Sequence, residues 1–179
     1  MTAPRNAGDV ASMRRIRSSA DAPLQGLVDL LIDVVDGGAS VGFLAPLSRV
    51  RAAAYWSQVL ASRGSALALW IAEADGRVVG SVQLALCEKE NGRHRADLQK
   101  LVVLRAYRGR GVAAALVETA EAFARADRRS LLVLDTEAQS PAERVYQRLG
   151  WQRVGEIPQY AARTDGELWA TAYYYKRLP

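Results

Sequence analysis

Leu98-Gln99-Lys100-Leu101-Val102-Val103-Leu104-Arg105-Ala106-Tyr107-Arg108-Gly109-Arg110-Gly111-Val112-Ala113-Ala114-Ala115-Leu116 joins a β-rich apolar run to an alanine-rich helix through two glycines. A glycine-rich loop that opens a helix turns bare backbone N–H groups and the helix's partial positive charge toward an anion, with no side-chain bulk in the way. The stretch predicts a phosphate-bearing ligand on the amides of Arg108, Gly109, Arg110, Gly111, Val112 and Ala113.

The spacing narrows that ligand. No Gly-Lys-Ser or Gly-Lys-Thr follows, so a P-loop would lack both its lysine and its magnesium-binding hydroxyl. Gly109, Gly111 and Ala114 fit G-x-G-x-x-A, and Asp135 closes the next apolar strand where a ribose-binding acid would stand. Context argues against a dinucleotide fold, in which this fingerprint opens the first strand and a second mononucleotide half follows. Here most of the chain precedes the loop.

The chain of 179 residues suits one domain, expected over 11–179 behind a disordered tail at 1–10. Cys87 is the single cysteine and His94 the single histidine, so neither a disulfide nor a zinc cluster is expected, and no metal. No apolar stretch approaches a membrane span of ~20 residues, and the start lacks the apolar core of a secretory signal. The expectation is a cytoplasmic protein without membrane contact. The net charge of +5 rests on arginines scattered through helices, lysine appearing only at Lys89, Lys100 and Lys176. Without a basic stripe or interleaved aromatics, nucleic acid is not an expected partner.

Around the central stretch the periodicity predicts a strand at 13–18 and helices at 23–36 and 46–63, the second ended by Gly64. Strands at 66–74 and 77–87 flank Asp75-Gly76, a short-hairpin signal, and a third strand runs over 95–104. The helix after the glycine loop places Val112, Leu116, Thr119 and Phe123 on one face and ends near Asp127. A buried strand follows at 130–134. Ser140, Pro141 and Glu143 read as a capping box opening a helix at 141–149, with Gly150 as its stop. Two last strands are expected at 151–156 and 168–177.

The pattern Val103-x-x-x-x-Arg108-Gly109-x-Gly111-Val112-Ala113-x-x-Leu116 resembles the pyrophosphate loop of the GNAT family of N-acetyltransferases, and the order β-α-α-β-β-β-α-β-α-β-β is also that family's. The resemblance implies an α+β fold, with a mixed, mostly antiparallel sheet of about seven strands and four flanking helices. It implies acetyl-CoA as cosubstrate, held by Leu101, Val102 and Val103 on the strand and by the loop at 108–113. Backbone N–H groups of Leu101 and Val103 would face the acyl oxygen. Arg105 stands where the family often has proline.

Acyl transfer to an amine needs a neutral amine, a stabilised oxyanion and a proton for the departing thiolate. Ala142-x-x-x-Tyr146-x-x-x-Gly150-Trp151 matches the family's A-x-x-x-Y-x-x-x-G-F/W, which implies Tyr146 as general acid beside the coenzyme sulfur. A phenol of pKa ~10 stays protonated at neutral pH and can donate. On the third strand a period of two sets Asp97, Gln99, Leu101 and Val103 on one side, opposite Leu98, Lys100 and Val102. Asp97 and Asp135 are candidates for the base, either of them equally readable as a hydrogen-bonded strand-end carboxylate. Cys87 has no histidine placed to activate it and reads as a packed or hairpin-edge thiol. His94 reads as a loop residue, and Trp56, Trp70, Trp169 and Tyr173 to Tyr175 as packing.

Further segments resemble the tabtoxin-resistance group within that family: residues 37–43, Gln99-Lys100-Leu101, Leu134-Asp135-Thr136-Glu137-Ala138, Arg153-Val154-Gly155-Glu156 and Tyr174-Tyr175-Lys176. That resemblance implies a small-molecule amine as substrate, a β-lactam amino acid or related toxin, with Asp135 and Tyr146 as the leading pair. The alternatives are a protein N-terminal acetyltransferase and a non-catalytic acyl-CoA-binding sensor. The glycine-rich 37–42 segment suits closure over a small molecule better than an open peptide groove. A monomer or a homodimer is expected.

Overall fold

The computed structural model describes residues 11–61 and 66–179, so the expected tail at 1–10 and the expected end of the second helix, with Gly64, lie outside the described residues. In chain order the elements are β1 (Ser12–Ile16), α1 (Leu24–Asp36), α2 (Arg49–Ala61), β2 (Leu67–Ala74), β3 (Arg77–Leu86), β4 (Arg95–Val103), α3 (Val112–Ala126), β5 (Leu131–Glu137), α4 (Pro141–Arg148), β6 (Gln152–Ala162) and β7 (Leu168–Arg177). The seven strands form one sheet in the order β1-β2-β3-β4-β5-β7-β6. Every neighbouring pair is antiparallel except β4 and β5, which run parallel and are joined through α3. A parallel pair needs such a crossover, and the stretch carrying the glycine loop and α3 supplies it.

Each face of the sheet is buried by helices. α1 lays Leu27, Val28, Leu31 and Val35 at helical spacing onto Leu69, Ile71, Val78 and Val102, with Trp56 of α2 beside them. On the other face Val112, Leu116, Val117, Ala120 and Ala124 of α3 meet Val82, Leu84, Leu98, Leu132 and Leu134. The stripe on α3 thus drifts from the expected Val112, Leu116, Thr119, Phe123 line. Thr119 and Phe123 are only half-buried, Thr119 donating to the Ala115 carbonyl and Phe123 meeting Trp70 edge-on at 5.1 Å.

The turn between β2 and β3 is the one its residues predict, Asp75 and Gly76 both at positive φ (51° and 70°). The start of α4 departs from its expected cap. Ser140 is the N-cap, but its hydroxyl caps nothing, and Glu143 accepts from the N–H of Gln139, one residue earlier. Glu143 also accepts the Tyr174 hydroxyl at 2.6 Å and Arg153 at 3.2 Å, and these tertiary bonds pull it off the local motif. β6 runs six residues past its expected end. It lies at the sheet edge, with register irregularities at Arg153/Gly155 and Ile157/Ala161, so no alternating apolar pattern betrays it.

Candidate active site

β4 and β5 pair at only three positions, Arg95 with Leu131, Ala96 with Leu132 and Asp97 with Val133. Beyond them β4 continues to Val103 and β5 to Glu137 without a shared ladder, so the two strands part and leave a cleft. Backbone N–H groups on the β4 edge past Asp97 have no strand partner from β5 and are open to whatever enters.

A bulge sits on the β4 wall of this cleft. Gln83 pairs with Gln99 and Ser81 with Val102, so Lys100 and Leu101 together stand opposite Val82, and Lys100 has φ +50°. The extra residue reverses the alternation. Ala96 and Leu98 before it, and Leu101 and Val103 after it, all pack on the α3 side, while Val102 packs toward α1. The expectation that Asp97, Gln99, Leu101 and Val103 share a face is therefore corrected: Asp97 and Gln99 lie on the α1 side, opposite Leu101 and Val103. On β5, Leu132 and Leu134 pack on the α3 side, which puts Asp135 on the α1 side with Asp97.

The glycine loop opens α3 as its residues predict. Gly109 and Gly111 have φ of +74° and +85°, and a Cβ on either would meet no atom within 4 Å. Gly111 is the N-cap and no side chain caps the helix, so the first-turn amides, Val112 and Ala113 among them, are available to an anion. Arg108 is exposed, its Nε donating to the Val103 carbonyl at 3.3 Å, and Arg110 holds its guanidinium 4.9 Å from the Tyr107 ring centre. These groups fit the diphosphate of a coenzyme A, which needs close backbone approach and positive charge at one end of the cleft. Arg105 ties the loop to α1, its N–H donating to Asp33 Oδ2 and its Nε to Oδ1, each at 2.9 Å. Proline at this position would lack the first of these donors.

From the opposite wall α4 presents Tyr146, which is buried with its ring 5.7 Å from Trp151 and 6.2 Å from Tyr174. Its hydroxyl makes no hydrogen bond among the described residues and is not one of the fully buried, unpartnered polar atoms. Burial pushes its pKa well above the ordinary phenol value, and the Asp135 carboxylate adds to the shift. Asp135, exposed on β5, pairs in register with Tyr173 of β7, and its field also reaches Asp97 and Lys100. Tyr173 is pushed up to about 12 by its hydrogen bond with Tyr160, by burial and by Asp135.

Asp97 is pushed above the usual carboxylate range by burial, with Asp135 adding and Arg95 opposing. Its folded pKa lies above its unfolded one, so its ionised form carries a stability penalty that is complete at neutral pH. That penalty fades as pH falls through the raised folded pKa and is gone below the unfolded value of about 3.9. Asp97→Asn is expected to raise the melting temperature slightly at pH 7 and to lose that advantage near pH 3.5. Thermal unfolding at the two pH values checks it, and a lower melting temperature at pH 7 would contradict it.

Three features lay beyond the reach of sequence reasoning. Lys100 donates from Nζ to the Val41 carbonyl at 2.8 Å, joining the bulge to the loop at 37–48. Gln83, buried on β3 opposite Gln99, donates to the Tyr55 hydroxyl of α2 at 3.0 Å. The loop at 37–48 meets the β6–β7 turn through Ala45 N–H to the Thr164 carbonyl, 3.0 Å, while Arg163 of that turn stacks on Trp169 at 3.5 Å and pairs with Glu137 at the end of β5. The only signal was a lysine set directly before the apolar end of β4, Leu101 to Val103. Cys87, half-buried beside Arg95, and His94, exposed in its loop, take no part. Among the described residues no three His, Cys, Asp or Glu side chains are grouped to hold a metal ion, and no helix is long and apolar enough to cross a membrane.

Comparison with known proteins agrees with this geometry. The family model described as Acetyltransferase (GNAT) family matches residues 40–151. N-acetyltransferase 8 of Rattus norvegicus is 38% identical over 99 residues, covering 54% of this chain and 44% of that protein. N-acetylaspartate synthetase of Danio rerio is 36% identical over 92 residues, 51% of this chain and 32% of that protein. The chain thus spans less than half the length of these relatives. In fold it resembles an acetyltransferase of Salmonella typhimurium solved with its cofactor acetyl-CoA, with a TM-score of 0.73, 19% identity and 94% of each chain covered.

Proposed function

Since this chain belongs to the acetyltransferase (GNAT) family, we propose that it transfers the acetyl group of acetyl-CoA to the amine of a small, amino acid-like molecule, with Tyr146 as general acid. When bound, acetyl-CoA supplies an electrophilic thioester carbonyl and a thiolate leaving group. The amides of the loop at 108–113 hold its diphosphate. Open N–H groups along β4, at Leu101 and Val103, donate to the acyl oxygen as charge develops there, fixed in place and needing no reorganisation. Asp135 and Asp97, on the same face, attract the acceptor's ammonium and take its proton directly or through water. Tyr146 gives a proton to the sulfur, from a phenol whose raised pKa keeps that proton in place until it is needed.

One observation carries this reading. Where β4 and β5 part, Asp97 and Asp135 lie on the same sheet face, and the charge of Asp135 helps to raise both Asp97 and the buried Tyr146 phenol, so a proton donor and two acceptors border one opening. A small acceptor is supported by the bridge from Ala45 to Thr164, which spans the α1 side where an extended peptide would have to lie. A relative named N-acetylaspartate synthetase accords with an amino acid acceptor. The resemblance of several segments to the tabtoxin-resistance group makes β-lactam amino acids the first acceptors to test.

Asp135→Asn keeps the shape of the side chain and removes its charge and basicity. It is expected to lower kcat/KM for the amine by about 10²-fold and to leave the affinity for coenzyme A within about twofold. Thiol release over a panel of amino acids and β-lactam amines, with calorimetry for the coenzyme, reads both. Efficient acetylation of peptide N-termini, with the small amines ignored, would replace this reading by a protein-acetylating one.

A further inference from the structure

Lys100 has no part in the chemistry above, yet it occupies the most unusual backbone position in the cleft. Its φ of +50° puts an unbranched, charged residue in the left-handed region that glycine or asparagine enters at less cost. An outlier of this kind at a cleft wall persists when the surroundings over-determine it, and it points to a use. Its ammonium is half-buried, and among the described residues its one hydrogen bond is to the neutral carbonyl of Val41. Gly42, at φ +90°, leaves the room: a Cβ there would stand 3.3 Å from Nζ. Asp135 influences Lys100 without forming an ion pair with it within 4 Å among the described residues. A half-buried ammonium with a carbonyl for its partner retains donors, and burial alone pushes its pKa downward, so an arriving anion would satisfy it better than the loop does.

We propose that Lys100 is the carboxylate anchor of the acceptor site, holding the carboxylate of an amino acid whose ammonium lies against Asp135 and Asp97. The arrangement is complementary to a zwitterion, with two carboxylates on the same sheet face as the amine to be acetylated and one cation at the bulge between β4 and the loop at 37–48. The carboxylate takes donors of Nζ, and the bond to Val41 is shared or released as the acceptor seats. This inference rests on the proposed function and adds the acceptor's second charged group to it.

The test compares each of the twenty amino acids with its α-carboxamide as acceptor for the 179-residue chain. Wild type is expected to favour the carboxylate form of its best acceptor by about 10- to 100-fold in kcat/KM, the range of one charge-assisted hydrogen bond. Lys100→Met is expected to remove that preference, raising KM for the amino acid while kcat for the carboxamide changes less than about threefold. Lys100→Arg should restore part of it. Equal losses on both acceptors would make Lys100 merely structural, and a wild type indifferent to the carboxylate would overturn the anchor while leaving the acetyltransferase reading intact. Should no amine in the panel be acetylated, that reading fails on its own, and calorimetry of the same amino acids still decides the anchor. Binding lost in Lys100→Met upholds it, and binding equal to wild type, or absent from both, overturns it.

Discussion

Gly111→Asp yields a folded protein whose affinity for acetyl-CoA is at least about 10²-fold weaker. The fold survives because a Cβ at Gly111 meets nothing within 4 Å, and because aspartate is a favoured helix N-cap. The remaining cost is the φ of +85°, about 1–2 kcal/mol for an L-residue and partly offset by the favourable charge at the start of α3. Binding fails for the same geometric reason. The open space beside Gly111 is where the diphosphate would approach, and the new carboxylate brings bulk and like charge to that spot. Repulsion between two such charges at about 4 Å ranges from about 1 kcal/mol in water to about 4 at an effective dielectric of 20, before any steric term. Gly111→Ala separates the contributions, since it carries the backbone cost and the bulk without the charge. Calorimetry with acetyl-CoA, alongside thermal melts of both variants, makes the measurement. An unchanged dissociation constant for Gly111→Asp would remove the loop from the coenzyme site.

Tyr146→Phe is expected to lower kcat by about 10²-fold while coenzyme affinity and stability barely change. The phenylalanine ring keeps the packing against Trp151 and Tyr174, and the hydroxyl it loses makes no hydrogen bond among the described residues. A loss of activity without a loss of stability is the signature of a group held for chemistry. The pH profile adds a second reading. Burial and Asp135 push the phenol upward, so its deprotonation cannot limit the enzyme below pH 10. Any alkaline fall in activity below that value belongs to another group. Full activity of Tyr146→Phe would give the proton transfer to a different donor, and Tyr173, in register with Asp135 on β7, is the next to substitute.

What could be read from the sequence was whatever neighbouring residues decide among themselves. The Asp75-Gly76 turn, the glycines that open α3, the apolar period of α1 and the stop at Gly150 each depend on φ preferences or spacing within a few residues, and the element order followed from them. The cleft itself depended on register, which is set between strands far apart in sequence. Lys100 carries no turn signal, and its left-handed conformation arises because β4 must hold Gln99 against Gln83 and Val102 against Ser81 with one residue too many between them. That single insertion moved Leu101 and Val103 to the face opposite Asp97, against the period of two, while the register of β4 on β5 placed Asp97 with Asp135. Glu143 left its local capping partner for the same kind of reason, since Tyr174 and Arg153 reach it only once β6 and β7 are in place. The elements, their order and the glycine loop that opens α3 were legible in the chain because backbone preference and hydrophobic period act locally. Which charged groups share the cleft follows from strand register and from loop contacts such as Ala45 to Thr164, which join residues that no local pattern links.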